Sequence, residues 1–120
     1  MTTMTQTQNE ALIKLLLAAR FSDSKLSVLE SDFFQQQVDE LPWDSGTSRD
    51  YFIQQATAAA RKALLADGTK QEFLEDQCAQ FTDADSRSAA LKAIESLMLA
   101  DGLDPRESKL LLHIRSILKV

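Results

Sequence analysis

Apolar residues recur along most of this chain at three- and four-residue spacing, and no stretch alternates apolar with polar residues over a useful length. The first rhythm belongs to helices with a buried face, and the second, that of a half-buried strand, is missing. In "NEALIKLLLAARF", residues 9 to 21, Leu12, Leu16 and Ala19 share a face with Ile13 and Leu17 beside them, which predicts the first helix. Residues 1 to 8, Thr and Gln with two Met, have no period and read as a flexible N-terminal tail, leaving 9 to 120 as one helical domain.

The same reading continues down the chain. After "SDSK", the segment "LSVLESDFFQQQVDEL" offers Ser27 as a helix cap with Glu30 three residues later. This second helix ends near Leu41, because Pro42 disfavours helical geometry in the residue before it. The clearest loop is "PWDSGTS", residues 42 to 48, an expected hinge or partner contact bracketed by Trp43 and Tyr51, with Trp43 read as packing over the end of a bundle. Ser48 can cap a third helix, "RDYFIQQATAAARKALLA", whose Phe52, Ala56, Ala59, Ala60, Ala63 and Leu64 make a stripe of mostly small apolar side chains. Such a stripe lets a neighbouring backbone come close, so this helix is expected near the centre. "DGT" interrupts before a fourth helix, "KQEFLEDQCAQF". Thr82 with Asp85 offers a capping box for a fifth, "DADSRSAALKAIESLMLA", and a sixth runs from Pro105 to about Leu118. The expected fold is all-α, a single-domain bundle of six helices arranged as helical hairpins. Leu16, Phe33, Phe34, Phe52, Ala59, Ala60, Leu64, Leu91, Ile94, Met98, Leu111 and Ile114 are its core candidates.

Three joints share a pattern in which Asp, then Ser or Gly, leads to a capping residue and a Glu. They are Asp23, Ser24, Ser27, Glu30; Asp67, Gly68, Thr69, Glu72; and Asp101, Gly102, Asp104, Glu107. A cap oxygen can accept from an early helical N–H while the Glu reaches back to the cap N–H. Gly68 and Gly102 fall where a preceding helix would end in a left-handed residue, and Pro105 takes a first helical position that needs no donor. A calcium-binding EF-hand is rejected, since "DGLDPRESKLLL" puts Leu at its third and twelfth positions, where oxygen ligands belong.

Composition narrows the function classes. A chain of 120 residues, 44% hydrophobic with three Gly and two Pro, holds one domain with its own core. Thirteen basic against eighteen acidic residues give a net charge of −5 without a basic stripe, which argues against nucleic acid as a partner. No basic start precedes an apolar core, and no apolar run approaches the roughly 20 residues that span a bilayer, so a cytoplasmic protein without membrane insertion is expected. The single cysteine, Cys78, agrees with a reducing compartment, and with Leu74 and Phe81 at helical spacing it reads as a buried thiol. His113, flanked by Leu110, Ile114 and Ile117, reads as a histidine at the core edge. With no second imidazole for zinc or a Ser-His-Asp triad, the chain is expected not to be an enzyme. Glu72, Glu75, Asp76, Asp83 and Asp85 read as a solvated acidic face.

The joints "FSDSKLSVLE" and "LADGLDPRE" resemble the paired motifs of the TerB-like family, the helical domains associated with tellurite resistance. The resemblance covers roughly residues 12 to 118, with Ser24 standing where the family has Gly. It implies an all-α, mostly antiparallel bundle without an established catalytic reaction. It also implies a part for acidic motif residues in binding a divalent metal ion within stress-response systems, and singles out Asp23, Glu30, Asp101 and Glu107 as the metal set. Two alternatives stand beside it. One is a pure protein-protein interaction module without metal, with its partner unidentified and a homo-oligomer left open. The other is an acyl-carrier-like protein carrying phosphopantetheine on Ser24, against which Lys25 stands where Leu is expected.

Overall fold

Among the described residues there are six helices, in the order α1 (Gln6–Phe21), α2 (Val28–Glu40), α3 (Arg49–Ala63), α4 (Asp67–Cys78), α5 (Ala84–Leu99) and α6 (Pro105–Leu118). The structure, a computed structural model, describes residues 5–21, 28–40, 43, 46–99 and 105–119, with side chains at 20, 28–31, 33, 67 and 105–107 outside the description. Among the described residues there is no strand, and the all-α bundle expected from the periodicity is what forms. Its radius of gyration is 13.2 Å, against about 13.6 Å expected for a compact domain of this length, so the helices make a single packed body.

The first helix begins three residues earlier than its apolar period suggests. Thr5 Oγ1 accepts from the Gln8 backbone N–H at 3.1 Å, and Gln8 Oε1 accepts from the Thr5 N–H at 3.1 Å, a reciprocal capping box. Residues 6 to 8 therefore belong to α1 and not to a tail.

This helix, not α3, is the centre of the bundle. Ala11, Leu12, Ile13, Leu15, Leu16, Leu17, Ala18 and Ala19 are all buried, so apolar side chains cover nearly its whole circumference. A helix of that kind is stable only when surrounded, and α1 packs against each of the other five. The single charge in the run, Lys14, is half-buried with its ammonium 5.8 Å from the centre of the Phe52 ring.

The expectation of a central α3 fails because its far side stays polar. Ala56 and Ala60 face inward, whereas Gln54, Gln55, Ala58, Ala59, Arg61 and Lys62 are exposed. Ala59 thus leaves the core list, and Phe52, Leu64 and Leu111 lie half-buried at its edge. Leu16, Phe34, Ala60, Leu91, Ile94, Met98 and Ile114 are buried as expected, and the Phe33 side chain lies outside the described residues.

Pairs of contacts set the helix directions. Lys14 lies over Phe52 and Arg61 lies 4.9 Å from the Phe21 ring centre, so α1 and α3 run the same way. At the opposite end, Gln8 Nε2 donates to the Gln80 carbonyl at 3.0 Å, tying the start of α1 to the chain just after α4. Cys78 and Phe81 there line one cleft with Arg87 near the start of α5 and with Ile117 and Leu118 near the end of α6. Hence α4 and α6 finish where α1 and α5 begin. The helix ends flanking the α1–α2, α3–α4 and α5–α6 connections all lie at one end of the bundle, and Gln37 of α2 donates to the Ala93 carbonyl of α5 at 3.0 Å midway along it.

Candidate functional site

The four residues singled out for metal binding belong in sequence to the α1–α2 and α5–α6 joints. Asp23 and Asp101 lie outside the described residues, as does Ser24. Glu30 is the third residue of α2 and Glu107 the third of α6, and their side chains also lie outside the description. Ser27, Gly102 and Asp104 are outside it as well.

The middle copy of the joint pattern can be followed atom by atom, and it is built otherwise than the pattern suggests. Helix α4 starts at Asp67, with Ala66 as an N-cap whose extended backbone (φ −139°, ψ 146°) carries no capping side chain. Thr69 is therefore inside the first turn. Its hydroxyl donates to the Ala63 carbonyl at 2.7 Å, with the Ala66 carbonyl 3.0 Å away. The hydroxyl ties the end of α3 to the start of α4, while the preceding turn closes through the Leu64 N–H on the Ala60 carbonyl at 3.0 Å. Gly68 is an exposed helical residue and terminates nothing. Its apparent stop signal came from glycine following aspartate, a pair that serves a first turn as readily as a last one.

The cap of α5 is also displaced by one residue. Asp83, not Thr82, holds the helix start: its Oδ2 accepts from the Ser86 N–H at 3.3 Å and its Oδ1 accepts from the Ser86 hydroxyl. The bond from the Ser86 hydroxyl, chiefly, holds the Asp83 carboxyl below the usual carboxylate range. Arg87 anchors the same corner, donating from Nε to the Phe81 carbonyl at 3.0 Å and from a terminal nitrogen to the Thr82 carbonyl at 3.1 Å. At α3 the expected cap is the one found, with the Tyr51 N–H donating to Ser48 Oγ at 3.2 Å.

The remaining candidates have structural roles. Cys78 is buried against Leu74 and Phe81, and burial pushes its thiol up to about 12, so it stays protonated and is neither nucleophile nor thiolate ligand near neutral pH. Trp43 donates from Nε1 to the Thr47 carbonyl at 2.8 Å and packs its ring 5.2 Å from that of Phe52. Glu72, Glu75, Asp76, Asp83 and Asp85 are exposed, as expected of a solvated face. Among the described residues, no three of His, Cys, Asp and Glu come together to hold a metal ion.

Two openings escaped the sequence reading. A cleft of about 430 Å³ at the end holding the α6 terminus is floored by Cys78, Phe81 and Leu118 and edged by Arg87 and Lys119. Lys119 curls back there in a left-handed backbone conformation (φ 59°), its N–H donating to the Arg115 carbonyl at 2.9 Å. A smaller hollow of about 230 Å³ lies between α4 and α6, lined by Lys70, Gln71, Leu74 and His113, whose Nε2 is buried without a hydrogen-bond partner. Neither could be found from spacing, because each forms where residues of separate helices meet.

Set against protein families, curated proteins and solved structures, the chain matches none.

Proposed function

We propose that the chain is a non-enzymatic, cytoplasmic binding domain of the TerB-like kind, working in a stress response such as tellurite resistance. It takes up a divalent cation through the acidic residues of the α1–α2 and α5–α6 joints, Asp23, Glu30, Asp101 and Glu107. The observation that carries this reading is the shared direction of α1 and α5, which brings the helix ends flanking both joints to the same end of the bundle. Two carboxylates from one joint fall short of the six to eight oxygens a calcium ion prefers, so the joints have to act together or be completed by backbone carbonyls and water. A non-catalytic role is supported by the protonated, buried Cys78 and by the single imidazole of the chain, held at a helix interface.

Isothermal titration with calcium, magnesium, manganese and zinc tests the proposal. Saturable binding of one cation is expected, weakened about tenfold (near 1.4 kcal/mol) by Asp101→Asn, with the metal-free melting temperature unchanged. Equal loss of affinity and stability returns Asp101 to a structural role. A second reading, a partner-protein module without metal, is favoured by Leu99, which ends α5 beside the same connection and is 60% exposed. Silence for all four cations leaves this second reading standing and ends the first.

A further inference from the structure

Arg87 is held by one edge of its guanidinium and leaves another edge open. A guanidinium presents its N–H groups as forks of fixed geometry. The fork made by Nε and Nη2 is bound to backbone, donating to the Phe81 carbonyl at 3.0 Å and to the Thr82 carbonyl at 3.1 Å. The fork between the two terminal nitrogens has no partner among the described residues, and no described carboxylate forms an ion pair with Arg87. This side chain edges the cleft of about 430 Å³ at the end of the bundle where α4 and α6 finish and α5 begins. The floor beside it is apolar, with Cys78, Phe81 and Leu118 buried and Ile117 half-buried. Lys119, exposed on the rim, likewise has no ion-paired carboxylate among the described residues. Glu75 is the one acid in the described lining, and its Oε1 already accepts from the Gln71 side-chain amide at 2.6 Å.

We propose that this cleft binds a small monocarboxylate with an apolar body, a fatty acid of short to medium chain, its carboxylate on the open fork of Arg87 and the Lys119 ammonium and its chain along Cys78, Phe81 and Leu118. A carboxylate matches a guanidinium fork with two parallel hydrogen bonds. The two carbonyls already immobilise this fork, so binding does not have to order it. Charge fixes the ligand as a monoanion. Two cations face one carboxylate in the lining, and the partial negative ends of α4 and α6 are offset only in part by the positive start of α5, which leaves an excess of at most about one positive charge. A doubly charged phosphate exceeds it. The end of a peptide would bring amide groups over a floor with few partners for them, because Arg87 takes the Phe81 and Thr82 carbonyls and Gln8 takes that of Gln80. The volume, near the lower end of the roughly 300–1,000 Å³ that ligand sites occupy, suits a compact ligand. This site is separate from the acidic joints and stands whether or not they bind a cation.

Titration of the full chain with octanoate, followed in proton–nitrogen correlation spectra, tests the site. Octanoate moves the amide signals of Cys78, Phe81 and Lys119 and the Nε–H signal of Arg87 along one saturable curve, with a Kd of about 0.1–1 mM for a ligand of about ten non-hydrogen atoms. Affinity rises about two- to fourfold for each methylene from hexanoate to octanoate. Octanol, octylammonium, inorganic phosphate and N-acetyl-leucine, which mimics a peptide end, each bind at least about tenfold more weakly. Lys119→Glu weakens octanoate about tenfold and leaves the melting temperature unchanged, since the side chain is exposed. Arg87→Lys keeps the charge, loses the fork and weakens octanoate by at least as much. Because Arg87 also anchors the start of α5, the melting temperature of that variant is read beside its affinity. The absence of saturable shifts at these residues, any of the four comparison compounds matching octanoate, or unchanged affinity in Lys119→Glu overturns the proposal.

Discussion

The burial of α1 on every side makes a quantitative prediction at Leu17. This residue lies about 140° around the helix from Leu12 and about 160° from Ala19, and it is 1% exposed. Leu17→Ala removes three carbon groups worth about 0.8 kcal/mol each, roughly 2.4 kcal/mol of transfer energy. If the surrounding helices leave about 40 Å³ unfilled, at about 24 cal/mol per Å³ the cavity adds about 1 kcal/mol. The expected loss is therefore about 3 kcal/mol, a large share of the roughly 5–15 kcal/mol that holds a domain of this size. In urea unfolding followed by far-UV circular dichroism, with a slope of about 1–3 kcal/mol per M, the midpoint falls by about 1–3 M. Leu16→Ala, on the stripe, serves as the matched control and costs a similar amount. Were α1 an ordinary surface helix, Leu17→Ala would stay within about 0.5 kcal/mol of the wild type. A midpoint shift for Leu17→Ala below about 0.5 M, beside a full shift for Leu16→Ala, refutes the central placement of α1.

Other perturbations reach different parts of the argument. Thr5→Ala removes the α1 cap and lowers stability by about 1 kcal/mol in the same urea assay, whereas no change would mean that α1 starts further along. The lowered Asp83 carboxyl contributes stability that is present above its ordinary value of 3.8 and is lost as pH falls through the lower value it has in the folded protein. Asp83→Asn accordingly flattens the acid limb of the stability curve below that value, and an unaltered limb would assign the acid sensitivity elsewhere. Cys78, with its thiol at about 12, reacts with a disulfide reagent near neutral pH only after unfolding, so rapid labelling of the native protein contradicts its burial.

Much of the fold was legible because helix ends carry local chemistry. Ser48 and Pro105 open α3 and α6 where their residue types say they should, and α2 ends at Glu40, a step before Leu41. Misreadings arose where two neighbours offer the same chemistry. Thr82 and Asp83 can both accept at an N-cap, and the choice of Asp83 depends on Ser86 answering with both its N–H and its hydroxyl. Gly68 looked like a terminator because the tertiary bond from Thr69 back to α3 has no signature in spacing. The rank of the helices was hidden for a related reason. A stripe on α1 was visible, but Ile13, Leu17 and Ala18 complete its circumference only once five neighbours are in place, and alanines on α3 look the same in sequence whether facing a core or solvent. Of the candidate residues, the acidic character was legible in residue type, whereas the shared end of the helix termini that flank the two joints needed contacts between distant helices, such as Gln8 with Gln80.

The helix against which all others lean precedes them in chain order. During translation it leaves the ribosome greasy on every side and must wait, uncovered, until the last of its five neighbours has been made. Chaperones that grip short oily segments have their natural foothold there, and stalled or clipped products lacking the later helices would be the ones to clump.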